Sequence, residues 1–319
     1  HKMIKKECFT AEWIEQVSSE LHYNDKNLIE KVIRALSLLE MLVKAGCPLV
    51  FKGGTALMLI LGKSAHRLSI DIDLICPPGT NIEDYLKSFA DFGFINLELV
   101  ERKQRDDADI PKSHSKFFYQ IAYRNDTDAQ SYILLDVLYE DIHYFRTQQI
   151  AINCPFIRLE GKPLMVTVPS AEDILGDKLT AFAPNTTGIP YYRNGRSCSM
   201  EIAKQLYDVG RLFENVSDLQ ITKEAFRKIA VVELSYRSFG TDIGQVFNDI
   251  RQTALCISTR GKAGEGDFDL IQDGIIRVKS FMYKQRYLID HAIIDAARAA
   301  YLATLIEKGI NEIESYSNN

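Results

Sequence analysis

Three carboxylates offer the most definite chemistry in this sequence. Asp71 and Asp73 stand two residues apart in Leu68-Ser69-Ile70-Asp71-Ile72-Asp73-Leu74-Ile75, where apolar and polar residues alternate. On a strand that spacing sends both carboxylates to one side, with their Cα atoms about 6.5 Å apart. Two such charges ~4 Å apart, at an effective dielectric of about 20, repel by roughly 4 kcal/mol, and a divalent cation would relieve the repulsion. Hard oxygen donors suit Mg²⁺, which takes one or two carboxylates and fills its octahedron with water and substrate phosphate. For an isolated Asp-x-Asp, two solvated side chains on an exposed strand face are the plainer reading. Asp136 is the third carboxylate, set in Leu134-Leu135-Asp136-Val137-Leu138. A charge among apolar strand residues is costly to bury alone, so Asp136 reads either as the outward residue of an edge or as a third metal ligand.

Context favours the catalytic reading. Upstream, Pro48 to Lys52 is a short apolar run ended by Gly53-Gly54-Thr55, and Thr55 to Leu61 turns helix-like. A strand-to-helix turn of this kind presents free backbone N–H groups and a helix N-terminus, an anion site suited to a triphosphate. Farther on, Thr187 to Arg196 places Tyr191, Tyr192, Arg193 and Arg196 among glycines. Arginine forks bind phosphate and tyrosine faces stack on bases, so nucleotide or RNA contact competes here with a bland surface loop. Other short patterns carry less. Leu61-Gly62-Lys63-Ser64 resembles the end of a P-loop, but position 57 is Leu where the first glycine belongs. Arg286 and His291 have the spacing of a helical ribonuclease pair, which arises easily by chance. His22, His66, His114 and His143 lack metal-ligand spacing and are expected to be structural or surface residues.

The elements that must position these groups can be read from periodicity. Two amphipathic helices open the chain, over residues 12–21 and 28–42. A strand over 68–75, a helix over 82–92 and strands near 94–100, 116–123 and 132–138 follow. After strand-like 165–168, Ser170 and Asp173 resemble a capping box with Asp in place of Glu. From there the pattern is helical throughout, with helices over 171–183, 199–214, 222–236, 242–256, 267–284 and 287–308. The expected fold class is therefore α+β: a mixed head over 1–168 and an all-helical domain over 169–319.

Composition narrows the function classes. With 319 residues, 46% of them hydrophobic and 25% charged, the chain is an ordinary globular one. Its 38 basic and 43 acidic residues give a net charge of −5, so RNA binding would have to rest on local groups such as Arg193 and Arg196. The six cysteines show no metal-ligand pairing and are expected to be reduced. Apolar runs stop far short of the ~20 residues of a membrane span, and the opening residues lack the core of a signal peptide. No membrane association and a cytoplasmic location are the expectation.

Gly53-Gly54-Thr55-Ala56-Leu57 followed by Arg67-Leu68-Ser69-Ile70-Asp71-Ile72-Asp73-Leu74 resembles the first motif of the AbiEii/AbiGii-type nucleotidyltransferase toxins, in the polymerase-β-like superfamily. Glu172 to Ala181, which bears Lys178, is similar to that family's lysine helix, and Ala203 to Val209, which bears Asp208, to its later Lys-Asp-aromatic-Asp helix. Gln205 departs from the acidic residue often found there. The resemblance implies a polymerase-β-like core with a mixed sheet and a C-terminal helical bundle. It implies transfer of a nucleoside monophosphate from an NTP to an acceptor hydroxyl, with Asp71, Asp73 and Asp136 on Mg²⁺ or Mn²⁺. Asp136 would also activate the hydroxyl. Lys178 would neutralise triphosphate charge, with Asp208 pairing either with Lys204 or with Lys178. Gly53, Gly54, Thr55, Arg67, Ser69, Lys178 and Arg196 would contact nucleotide. The implied acceptor is RNA, tRNA above all, and the implied partner a cognate antitoxin. Rival readings are a binding protein without turnover, NMP transfer to protein, and a tail-borne ribonuclease.

Overall fold

Two capped helices lead the first unit. The Thr10 hydroxyl accepts the Trp13 N–H at the start of α1 (Ala11–Glu20), and the Asp25 carboxylate accepts that of Leu28 at the start of α2 (Lys26–Lys44). The apolar face of α2, including Ile29, Val32, Ile33, Leu36 and Leu39, is buried. Three charged residues, Glu30, Arg34 and Glu40, share that burial. Glu30 and Arg34 pair at 3.3 Å; the Glu30 carboxylate accepts the Ala122 N–H and the Arg34 guanidinium donates to the Gly93 carbonyl. These bonds tie α2 to the segments bordering the sheet, and they satisfy charges that would otherwise be costly to bury.

The computed structural model describes residues 3–100, 112–124, 129–237 and 240–314. It divides into two units, His1–His143 with Thr147–Pro169, and Tyr144–Arg146 with Ser170–Asn319. The first holds a five-stranded sheet of β1 (Val50–Lys52), β2 (Ile72–Cys76), β3 (Asn96–Val100), β4 (Lys112–Gln120) and β5 (Gln130–Tyr139), in the order β1-β2-β5-β4-β3. Only β2 and β5 run parallel. Residues alternate as a half-buried sheet requires: Ser115, Phe117 and Tyr119 of β4 and Ile133, Leu135 and Val137 of β5 face the core. The residues between them, His114, Lys116 and Phe118 on β4 and Tyr132, Leu134 and Asp136 on β5, lie on the open side. Helix α3 (Gly53–Leu61) follows β1 directly. It is buried along most of its length, as its uncharged sequence demands. A separate two-stranded sheet pairs β6 (Thr147–Ala151) with β7 (Met165–Pro169).

The second unit contains α4 (Ala171–Ala181), a short hairpin of β8 (Tyr192–Arg193) and β9 (Arg196–Ser197), then α5 (Ser199–Phe213), α6 (Leu219–Arg237), α7 (Ile243–Ser258), α8 (Phe268–Val278) and α9 (Ile289–Lys308). Ser170 caps α4 through the Asp173 N–H, but the Asp173 carboxylate turns to the Phe145 and Arg146 N–H groups, so only half of the capping box forms. No described helix is long and apolar enough to cross a membrane.

The α+β class and the mixed sheet agree with the sequence reading, and four local expectations change. The strand expected over 68–75 begins at Ile72, because the Thr55 hydroxyl, not a neighbouring strand, takes the Asp71 carbonyl at 2.6 Å. The expected helix over 82–92 is two 3₁₀ turns, Ile82–Tyr85 and Phe89–Phe92, closed by i to i+3 bonds. The helix expected over 267–284 ends at Val278 and runs into a 3₁₀ turn. The region after 169 is not wholly helical: Asn194 and Gly195 both take positive φ, the geometry of a two-residue hairpin turn.

Candidate active site

Four side chains line up across the open face of the sheet. Lys52 stands opposite Asp73, Asp73 beside Asp136 on the parallel strand, and Asp136 opposite His114. Residues paired in register share a face, so two carboxylates lie in adjacent strands between a lysine and a histidine. All four positions are half-exposed. Asp71 is exposed and precedes β2, in the loop that leads into the strand, so it is outside the register that aligns these four.

The glycine turn is fitted to the row. Gly53 has φ +86°, and a Cβ at that position would stand 2.6 Å from Asp73 Oδ2. A Cβ at Gly54 would stand 2.9 Å from Ser69 Oγ and 3.5 Å from an Arg67 guanidinium nitrogen. Only a backbone without side chains brings the start of α3 so close to these polar atoms. Thr55 is fully buried; its hydroxyl donates to the Asp71 carbonyl and lies 3.0 Å from the Ser69 hydroxyl. Thr55 thus fixes the loop that carries Ser69 and Asp71, and Arg67 is buried at the same turn.

Asp136 has a partner that spacing in the sequence did not suggest. His114 Nδ1 is in hydrogen-bond contact with Asp136 Oδ1, with the histidine the more buried of the two. The only sequence signal for His114 was its place in an alternating stretch, which becomes informative once the β4–β5 register is known. Among the described residues, no group of three or more His, Cys, Asp or Glu side chains gathers closely enough to hold a metal ion. Asp71, Asp73 and Asp136 therefore do not form a ready three-ligand cluster. Asp73 and Asp136, partly exposed neighbours on parallel strands, offer hard oxygen donors of the type that fits a cation taking one or two carboxylates and finding its other ligands in water and phosphate.

In the second unit, Lys178 Nζ lies 3.1 Å from Asp208 Oδ2, at side-chain exposures of 12% and 2%. The pair links α4 to α5. Lys204 extends its ammonium over the Phe281 ring, 4.3 Å from the centroid. Arg193 and Arg196 are exposed on the β8–β9 hairpin, which leads directly into α5. Beneath α5 lies a buried polar centre: Asp295 accepts from Arg211 at 2.9 Å and from the Tyr287 hydroxyl at 2.8 Å. Burial raises the Asp295 carboxyl to about 6 despite these two donors, and pushes the Tyr287 phenol well above its ordinary range. Gly210 permits this approach, since a Cβ there would stand 1.9 Å from Asp295 Oδ1. His291 is absorbed locally, accepting the Leu288 N–H at the start of α9 with its ring 6.3 Å from that of Tyr287, and Arg286 is exposed.

No curated protein matches the chain. Among solved structures, it is similar to MenT4, a nucleotidyltransferase toxin from Mycobacterium tuberculosis, at 13% identity over 91% of this chain and 89% of that one, with a TM-score of 0.55. JHP933 from Helicobacter pylori matches at 17% identity over 88% and 94% of the two chains, with a TM-score of 0.46. The likeness to MenT4 is one of fold. The family model for the nucleotidyl transferase AbiEii toxin of type IV toxin–antitoxin systems matches residues 36–290, which take in both glycines of the turn, all three carboxylates, Lys178 and Asp208. The chain belongs to the AbiEii family of nucleotidyltransferase toxins.

Proposed function

We propose that this toxin is a Mg²⁺-dependent enzyme of the cytoplasm that moves a nucleoside monophosphate from an NTP to a hydroxyl of RNA, with tRNA as the acceptor class and a cognate antitoxin as its counterpart. The observation that carries the reading is the juxtaposition of Asp73 and Asp136 on parallel strands, with the glycine turn at the start of α3 against Asp73. The backbone N–H groups of Gly53 and Gly54 and the positive end of α3 receive phosphate oxygens. Arg67 and Ser69 border that cradle. Asp71 and Asp73 hold the cation. When bound, Mg²⁺ supplies charge neutralisation on the phosphates and a template for in-line displacement. Asp136, held by His114, takes the proton of the attacking hydroxyl. The bond between the α-phosphorus and the bridging oxygen breaks as the new phosphodiester forms, and pyrophosphate leaves. Lys178, kept in place by Asp208, bears on triphosphate charge. Arg193 and Arg196 supply local positive charge that the chain lacks overall.

The test is to incubate purified protein with total RNA, Mg²⁺ and each α-labelled NTP in turn, with Asp71→Ala as control. Label in an RNA band with wild type and none with the variant supports the reading and identifies the NTP. Label in protein alone would replace RNA with a protein acceptor, and no incorporation from any NTP would count against turnover.

A further inference from the structure

The open face of the sheet carries a second feature along the strand that bears Asp136. Tyr132 lies on the same side of β5 as Leu134 and Asp136, and it remains 38% exposed. Phe118 stands directly opposite it on β4, with ring centroids 5.7 Å apart and planes tilted by 54°. Two lysines approach the Tyr132 ring: Lys116 of β4 at 4.7 Å and Lys31 of α2 at 5.4 Å from the centroid. Lys116 is opposite Leu134, between the Tyr132 row and the Asp136 row. The core-side aromatic residues of β4, Phe117 and Tyr119, are fully packed, so the Phe118–Tyr132 pair is a separate surface and not a lobe of the core.

An exposed tyrosine backed by a half-buried phenylalanine and flanked by cations is what an unpaired nucleic-acid strand needs: a ring face on which a base stacks and positive charge for the phosphates beside it. Tyr132 and Asp136 are four residues apart on one strand, about 13 Å. That is the length of roughly four stacked nucleotides, fewer if the strand is extended. We infer that Tyr132 and Phe118, with Lys116 and Lys31, form a stacking platform for a base of the acceptor strand a few nucleotides from the hydroxyl presented to Asp136. This rests on the RNA acceptor proposed above. The platform selects single-stranded ends, since paired bases have no free face to offer, and it has little base preference, because every base has a π-face.

The experiment measures KM for the RNA that the wild type labels and, separately, KM for the NTP, in Tyr132→Ala, Tyr132→Phe and Lys116→Ala. Loss of one stacked base corresponds to a rise in acceptor KM of roughly five- to a hundred-fold in Tyr132→Ala. The NTP KM and the thermal midpoint should stay as in wild type, Tyr132→Phe should retain wild-type acceptor KM, and Lys116→Ala should show a smaller rise that vanishes at high salt. A direct reading comes from Tyr132→Trp, whose added fluorescence should be quenched by a single-stranded oligonucleotide without NTP and not by a blunt duplex. Equal acceptor KM in Tyr132→Ala and wild type, or absence of quenching, would overturn the platform while leaving the transferase in place. Failure of the wild type to label RNA would strike the acceptor reading itself, and the oligonucleotide titration would then decide the platform independently.

Discussion

Asp136 and His114 face each other across the β4–β5 ladder, with the histidine Nδ1 against one carboxylate oxygen. The contact fixes which way the carboxylate turns, and in the proposed reaction its second oxygen takes the proton of the attacking hydroxyl. Partners of this kind, one step removed from the reacting atoms, commonly contribute 10- to 100-fold. His114→Ala should lower kcat by about that factor with NTP KM little changed. His114→Asn, whose side-chain amide can replace the Nδ1 donor, should recover most of the rate. Steady-state kinetics of the two variants, alongside Asp136→Ala, checks this; equal losses in both would show that the imidazole acts only as packing.

Gly53 is closed to substitution on two counts. Its φ of +86° and the 2.6 Å approach of Asp73 to the missing Cβ mean that Gly53→Ala strains the backbone and displaces a carboxylate at once. The strain costs about 1–3 kcal/mol. Transfer activity should fall by more than 100-fold, well beyond what the lower thermal midpoint explains. Recovery of near-wild-type activity at low temperature would mean that Asp73 tolerates the shift.

Lys178 and Asp208 form a buried ion pair, and removing one partner leaves the other charge uncompensated, at a cost of about 3–5 kcal/mol. Asp208→Ala should therefore destabilise the chain more than the double variant Lys178→Met with Asp208→Leu, in which both charges go. If Lys178 bears on the triphosphate, the double variant regains stability and stays inactive. Urea denaturation and transfer assays on the same preparations separate the two effects.

The buried Asp295 sets a pH dependence with a definite sign. Its folded-state pKa of about 6 lies above the unfolded value of about 3.9. Between these values the native state binds the extra proton, so the contribution of Asp295 to stability is greatest below about pH 4 and declines as pH rises to about 6. Relative to Asp295→Asn, the wild type should lose on the order of 3 kcal/mol of advantage between pH 4 and pH 7. A flat difference in denaturation midpoints across that range would remove Asp295 from the ionisable groups that matter.

How much could be read without the structure depended on whether a signal was local. Gly53-Gly54-Thr55, Asp71 and Asp73 sit within one short stretch, and the helices after Ser170 declare themselves by periodicity, so both were legible. His114 and Lys52 were not, because their relation to the aspartates is a matter of strand register, which joins segments far apart in the chain. The start of β2 was misjudged for a related reason. Ile70 and Asp71 alternate like strand residues, yet a buried threonine hydroxyl from α3 claims the backbone acceptor there. Strand β6 went unseen since Thr147-Gln148-Gln149 offers no apolar alternation to detect.

The single parallel pairing in the sheet also bears on how the enzyme comes into being. Asp73 and Asp136 become neighbours only when β2 and β5 align, and in chain order β3 and β4 lie between them. Closing so long a loop costs entropy before any contact repays it, and non-local pairings of this type form slowly. A ribosome-bound fragment ending before β5 has the glycine turn and the first two carboxylates but not the third. If the three aspartates act as proposed, that order of assembly delays a toxin's hazard: the arrangement is complete only after the central strand has been made and seated.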